Sequence, residues 1–496
     1  MRSSATSKYA LAALAAVVSG ELYFFSTGLQ GFRPLVWIAP LPVLLISLRS
    51  SRPTVFVMAF TAYVLGGLNL VPYLSRLASP GIVLAQLLIP SVAFALVTIA
   101  FRDAIVQFNH RFSFFAFPIG WTAYEFLLSL VSPHGSAGSV AYTQSAFLPF
   151  IQIASLTGFT GITFLLTLVP AGVAAAIHQR ETARRLTAIL TVFILTTGSL
   201  GYGWIRLSTP APGNALRVAV AAIDSSARHF NTTARDEALA VVNAYALLVS
   251  RAVDSGAVIV ALPEKLVGIT EEYETEALAI LRKTASEHGV FVVAGFNRLG
   301  IEPRRNIAVL ISPDGDIAGE YDKAFPIPGI ESDYQRGAEI FLFNAHGISS
   351  GIAICKDLDF PQWIRHYGQA GAGILFVPAW DFRTDAWLHS RMAILRGVEN
   401  GFAVVRAAND GSLTIADDRG RVISELSSIS SSEALIFADI HAGAGRTIYS
   451  IGGDWFPIGV LLVLLVLLII SARRIFGRHN SVASSDVSDV GHGVNL

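Results

Sequence analysis

Long apolar runs follow one another from Tyr9 to about Arg206, separated by short polar loops. A helix needs about 20 such residues to cross a bilayer core. The runs predict spans at about 9–29, 34–48, 54–74, 81–101, 113–132, 155–177 and 187–206. A last run, "WFPIGVLLVLLVLLIIS" at 455–471, predicts one more at about 455–472. The reading is therefore a bundle of about eight transmembrane helices, with seven as the alternative because the 34–48 run is short. No small-x-small cleavage site separates the first span from the second, so the first reads as a helix and not as a signal peptide.

The segment 212–445 has a different rhythm. "ALRVAVAAID" (215–224), "AVIVALPE" (257–264), "VFVVAGFN" (290–297), "GISSGIAICKD" (347–357), "AGILFVPAW" (372–380) and "FAVVRAAND" (402–410) are strand-like. Helical patterns at 233–255, 271–289, 360–371 and 384–401 lie between them, two of them stopped by Gly289 and Gly401. "RRNIAVLISPDGDIAGEYDK" (304–323) predicts two strands around a Pro-Asp-Gly turn, and strands at 412–424 and 433–440 close the segment. Alternating strands and helices predict a layered α/β sandwich. The division expected is a bundle at 1–211, the α/β domain at 212–445, a C-terminal helix with a basic flank at 446–478, and a disordered Ser-rich tail at 479–496.

Composition sharpens this picture. Hydrophobic residues make up 53% of the chain and charged residues 15%, against about a quarter charged in ordinary globular domains. A net charge of zero gives no basic field for nucleic acid. One cysteine excludes an internal disulfide framework and multi-cysteine zinc sites. The histidines show no metal-ligand spacing, and nothing implies a cofactor. With the N-terminus in the cytoplasm, the inner loops carry Arg2, Lys8, Arg49, Arg52, Arg102, Arg111, Arg180, Arg184, Arg185, Arg473, Arg474 and Arg478. The outer loops carry only Arg33 and Arg76. This bias predicts that seven crossings place the α/β domain outside the cytoplasm.

Candidate chemistry falls in two places. Glu125, in "WTAYEFLLSLVS", and Glu21 lie inside predicted spans, where an ionisable group defaults to a functional hypothesis. Local pairing or snorkelling is the plainer alternative; it is favoured for Glu21 and balanced for Glu125. In the α/β domain, Glu264, Lys323 and Cys355 each follow an apolar strand, where α/β sheets bind ligands. Singly, each has a bland explanation: a surface charge, a solvated lysine, a buried core thiol. Jointly they supply a thiol nucleophile, a carboxylate base and a cation for an oxyanion.

At these residues the sequence resembles the nitrilase, or carbon–nitrogen hydrolase, superfamily. The matching pieces are "LPE" (262–264), "YDKAFPIPGIE" (321–331), "ICKDLDFP" (354–361) and "RGVENGFAVVRAANDG" (396–411). The resemblance implies an αββα four-layer sandwich with Glu264 as base, Lys323 as oxyanion cation and Cys355 as nucleophile. It implies Glu331 as a supporting glutamate, and Asp357 occupies a second supporting position. A nitrilase domain between membrane spans is similar to the apolipoprotein N-acyltransferase branch. "FPIGWTAYEFLLS" (117–129), with Trp121 and Glu125, and the span within 148–177 resemble that branch's membrane half. The chain departs from the family in having Lys356-Asp357 where an aromatic and a glutamate commonly follow the cysteine.

The resemblance implies a two-step acyl transfer in the inner membrane of a bacterium. Cys355 would take an acyl chain from a phospholipid as a thioester. The α-amine of a diacylglyceryl-cysteine lipoprotein would then accept it, on the periplasmic side. No cofactor and no nucleic acid take part, and a monomer is expected. A nearby cation is expected to lower the Cys355 pKa. The alternatives are a membrane-bound amidase, in which water resolves the thioester, and an inactive relative that binds lipid or lipoprotein.

Overall fold

A computed structural model describes residues 2–29, 31–209, 215–223, 229–429 and 432–488. Among these, seven helices are long and apolar enough to cross a membrane: Ser7–Ser26, Arg52–Leu74, Pro80–Phe108, Ser113–Val131, Phe159–His178, Thr182–Ser208 and Trp455–Arg473. The expected eighth span at 34–48 is not such a helix. Pro34, Pro40 and Pro42 remove backbone donors there, leaving a 3₁₀ turn at Arg33–Trp37 and a short helix at Leu41–Ser47.

The chain nevertheless runs the length of the bundle through this broken segment. The first two long helices lie parallel. Asn69 Nδ2, at the end of one, donates to the carbonyls of Phe24 (2.8 Å) and Thr27 (3.0 Å) at the end of the other. A Cβ on Gly66 would sit 2.4 Å from Tyr23 Cβ, so the glycine permits this close approach. Two parallel helices require the chain between them to return. Arg33 begins the return with its guanidinium 3.5 Å from the Trp387 ring centroid, on the α/β domain. The Ser50 carbonyl ends it, accepting from Arg102 Nε (2.7 Å) at the far end of the bundle. Arg52 pairs there with Asp103 (2.8 Å).

The α/β domain contains two mixed sheets. In the first, β13 (Glu433–His441), β1 (Ala215–Ile223), β2 (Ile259–Ala261), β4 (Phe291–Arg298), β5 (Arg305–Ile311) and β6 (Ile317–Asp322) lie side by side, with β3 (Gly268–Ile269) on β4. The second has the order β12 (Val422–Ser427), β11 (Ser412–Ala416), β10 (Ala403–Asn409), β9 (Ile374–Trp380), β8 (Ile348–Ile352) and β7 (Phe341–Ala345). Strand alternation sorts the side chains into layers. Val218, Val220 and Ala222 of β1 join Ile352, Phe376 and Val405 between the sheets. Ala219 and Ala221 face the helices Arg235–Asp254 and Glu274–His288. Leu375, Val377 and Val404 face the helices Pro361–Gln369 and Ala386–Asn400. The layers are therefore αββα, as the resemblance implied. Strands β3 and β7, the latter a hairpin partner of β8, have no counterpart in the sequence reading.

The helix Ala386–Asn400 joins the two halves. Ala393 packs toward the second sheet, while Met392, Leu395 and Val398 belong to the apolar core of the bundle. Buried on both sides, it also carries Arg396 and Glu399 into the junction. Arg396 donates to Tyr142 Oη (3.0 Å), and Glu399 Oε1 accepts from the Phe159 amide (2.7 Å). The C-terminal helix continues to Ser488, ten residues into the tail expected to be disordered. Residues 489–496 lie outside the described residues.

Candidate active site

Glu264 and Lys323 follow two strands of the first sheet, β2 and β6, that β4 and β5 separate, and their side chains meet. Glu264 lies in the turn after β2, and its amide donates to the Ala379 carbonyl of β9 (3.3 Å), across the sandwich. Gly295 makes this turn possible: a Cβ there would lie 2.4 Å from the Pro263 carbonyl oxygen and 2.6 Å from Glu264 Cα. Lys323 extends β6, its amide bonded to the Asn306 carbonyl (2.9 Å). Its ammonium donates to Glu264 Oε1 (2.7 Å) and Glu331 Oε2 (3.0 Å). An ammonium has three donors, so one remains for another acceptor.

Asn306 ties the two carboxylates together. Its Nδ2 donates to Glu264 Oε1 (2.6 Å) and to Glu331 Oε1 (2.9 Å). Glu331 also accepts from the Ile327 amide (2.8 Å) and pairs with Lys265. Glu264 Oε2 is buried and has no hydrogen-bond partner. A buried carboxylate oxygen without a donor is uncommon, and here it is an acceptor left open.

Cys355 begins a 3₁₀ turn, Cys355–Asp359, just after β8. Its φ of +43° is left-handed, a region that costs a non-glycine residue about 1–2 kcal/mol. Asp357 secures the turn. Its carboxylate accepts from the Ile354 amide (2.9 Å), Tyr321 Oη (2.7 Å) and the Phe325 amide (2.9 Å). Asp357 thus binds both the cysteine turn and the loop after Lys323. Burial pushes its carboxyl up to about 6 against these donors. The Cys355 thiol is 8% exposed and donates to the Trp380 carbonyl (3.4 Å).

The expected effect of a cation on Cys355 is present but outweighed. Burial, with Glu264 adding to it, pushes the Cys355 thiol well above its ordinary pKa, and Lys323 only partly opposes this. The resting sulfur is therefore a thiol. Burial also disfavours the Lys323 ammonium, yet Glu264 and Glu331 outweigh it and hold that pKa well above the usual lysine range. Glu331 is held below the ordinary carboxyl value: burial opposes its ionisation, and Lys323 and Lys265 overcome it.

The other expected residues lie elsewhere. Lys356, beside the thiol in sequence, turns away to Asp359 Oδ2 (2.9 Å) and His134 Nδ1 (3.1 Å), a contact with the loop after the Ser113–Val131 helix. The partners of Glu125 all belong to the membrane half: Trp121 Nε1 (3.1 Å), Ser139 Oγ (2.6 Å), Thr163 Oγ1 (2.6 Å) and the Val140 amide (3.0 Å). With four donors on one carboxylate, Glu125 anchors that loop. Glu21 is exposed on the first helix. No cluster of potential metal ligands occurs among the described residues. A cavity of about 290 Å³ opens beside Glu331, lined by Pro133, Phe325, Pro326, Ile327, Tyr334 and Phe360, among others.

Asn306 and Lys265 were missed in the sequence. Asn306 had a signal: it shares a strand face with Ala308 and Leu310, which are buried between the sheets. An amide in an inward apolar row needs partners. Lys265 carried no such signal.

Known proteins resemble this chain in both of its halves. The carbon–nitrogen hydrolase family matches residues 217–449. The apolipoprotein N-acyltransferase N-terminal domain matches residues 19–172. The chain is 26% identical to the apolipoprotein N-acyltransferase of Geobacter metallireducens over 506 aligned residues, covering 93% of this chain and 95% of that one. It is 33% identical to the 2-oxoglutaramate amidase of Bacillus subtilis over 175 residues, covering 32% and 65%. A solved amidase from Nesterenkonia sp. is 19% identical, with a TM-score of 0.38, covering 47% of this chain and 93% of its own.

Proposed function

The chain belongs to the apolipoprotein N-acyltransferase family of multi-pass membrane acyltransferases, and from that premise we propose a ping-pong transfer through a thioester on Cys355. Glu264 is the base, Lys323 the oxyanion cation and Cys355 the nucleophile. The observation that carries this reading is the open Glu264 Oε2, buried beside the Lys323 ammonium, in a site whose sulfur rests protonated. A thiol that is not already ionised needs a base as it attacks.

In the first step the Cys355 sulfur attacks the ester carbonyl of a phospholipid, and its proton passes to Glu264. The tetrahedral oxyanion takes the remaining N–H of Lys323. Collapse breaks the ester C–O bond, Glu264 returns its proton to the departing glycerol oxygen, and a lysophospholipid leaves. In the second step the α-amine of a diacylglyceryl-cysteine lipoprotein attacks the thioester and loses a proton to Glu264. The sulfur departs and recovers a proton, leaving an amide on the lipoprotein and the resting thiol.

The catalytic domain is read as periplasmic, with the N-terminus in the cytoplasm. The parallel first two helices and the return between them support seven passages before the domain. The pairing of Arg52 and Arg102 with Asp103, at the end far from the domain, agrees with the charge bias.

The test is incubation of the purified protein with phospholipid, followed by mass spectrometry. An acyl adduct on Cys355, absent in Cys355→Ala, is expected, as is transfer to a diacylglyceryl peptide. Release as free fatty acid instead would make the protein a hydrolase. A wild-type protein that never acylates would leave only a lipid-binding role.

A further inference from the structure

Lys265 is a buried cation that neither transfer step uses. It directly follows Glu264, has a left-handed φ of +49°, and is 8% exposed. Its ammonium pairs with Glu331 Oε1 and lies 4.5 Å from the Tyr334 ring centroid. We infer that Lys265 is a positioning residue: by giving Glu331 a second cation beside the Lys323 ammonium that both carboxylates share, it balances the buried charge and keeps Glu264 free to accept a proton. The inference rests on reading Glu264 as the base.

The argument is one of charge balance. Glu264, Glu331, Lys265 and Lys323 form a buried set with two negative and two positive charges, bridged by the neutral amide of Asn306. Facing the set are the Cys355 thiol and the Asp357 carboxyl from the turn after β8, and the Tyr334 ring. Beyond Cys355 the Arg406–Asp381 pair is itself neutral. Without Lys265, one ammonium would serve two buried carboxylates. Isolated buried charge is strongly disfavoured, so the set would take up a proton at higher pH. Glu264 Oε2, the carboxylate oxygen with no donor, is where that proton would settle. A protonated Glu264 cannot deprotonate the thiol.

The single thiol in the chain makes this measurable without any lipid substrate. The full-length protein, in detergent micelles, is alkylated with iodoacetamide across a pH series, and the adduct on Cys355 is followed by mass spectrometry. Lys265→Met removes the cation paired with Glu331, so the buried set is left one positive charge short. The acid limb of the alkylation profile should move up by about one pH unit or more. Lys265→Gln should repeat the shift, and Lys265→Arg, which restores the charge, should return the limb to the wild-type position. A merely structural role would lower the rate at all pH values and leave the limb in place. Lys265→Met and Lys265→Gln profiles with the wild-type midpoint would overturn this inference alone. A wild-type profile unaltered by Glu264→Gln would overturn the base assignment, and this inference with it.

Discussion

The Asn306 amide donates to Glu264 Oε1 at 2.6 Å, while the other oxygen of Glu264 has no partner. This asymmetry fixes which oxygen is free to receive a proton. Asn306→Leu would leave the base held by Lys323 alone and would remove the bridge to Glu331. Cys355 acylation is expected to fall about 10²-fold, the scale of a base misplaced by about 1 Å. Quench-flow acylation compared with thermal unfolding of the same variant separates loss of placement from loss of fold.

Lys323→Met retains much of the apolar stem and removes the ammonium. Oxyanion stabilisation by one donor is worth about 10²–10³ in rate. A fall of at least about 10²-fold in the acylation rate is expected, and an unchanged rate would exclude the oxyanion role.

Gly295→Ala tests the turn that carries the base. The new Cβ would meet the Pro263 carbonyl oxygen and Glu264 Cα, both backbone atoms of one short turn. Overpacking of this kind costs about 1–3 kcal/mol. The variant should unfold at lower temperature and lose most acylation, while Gly198→Ala, in the Thr182–Ser208 helix with nothing within 4 Å of its new Cβ, should keep both.

The docking of the two halves should depend on pH. Tyr73 Oη, from the bundle, donates to Asp385 Oδ2 (2.6 Å), which also pairs with His389 Nε2 (3.2 Å). Burial opposes the His389 imidazolium, but Asp385 overcomes it and raises the pKa from 6.5 to about 9. This stabilisation is complete below about pH 6.5 and is lost as pH rises through about 9. Asp385 is held at about 2, its ion pair and hydrogen bonds overcoming burial, so its contribution is present above pH 3.8 and is lost as pH falls through about 2. The histidine shift corresponds to roughly 3 kcal/mol as an upper bound. His389→Gln should lower the unfolding temperature at pH 6, with the difference shrinking toward zero near pH 10. A difference independent of pH would contradict the pairing.

Periodicity alone made seven long helices, the sandwich strands other than β3 and β7, and the chain order of Glu264, Lys323 and Cys355 legible. Each is a local property: hydrocarbon length against a bilayer, alternation along a strand, a polar group at a strand's end. The broken passage at 33–50 needed the parallel packing of two helices around it, which no run of residues records. The Lys265–Glu331 pair needed a left-handed backbone and a loop 66 residues away. The raised pKa of Cys355 was not legible because the sequence shows a neighbouring cation but not the burial that outweighs it. Burial and partner charges arise when two sheets close on each other, so only the tertiary structure decided them.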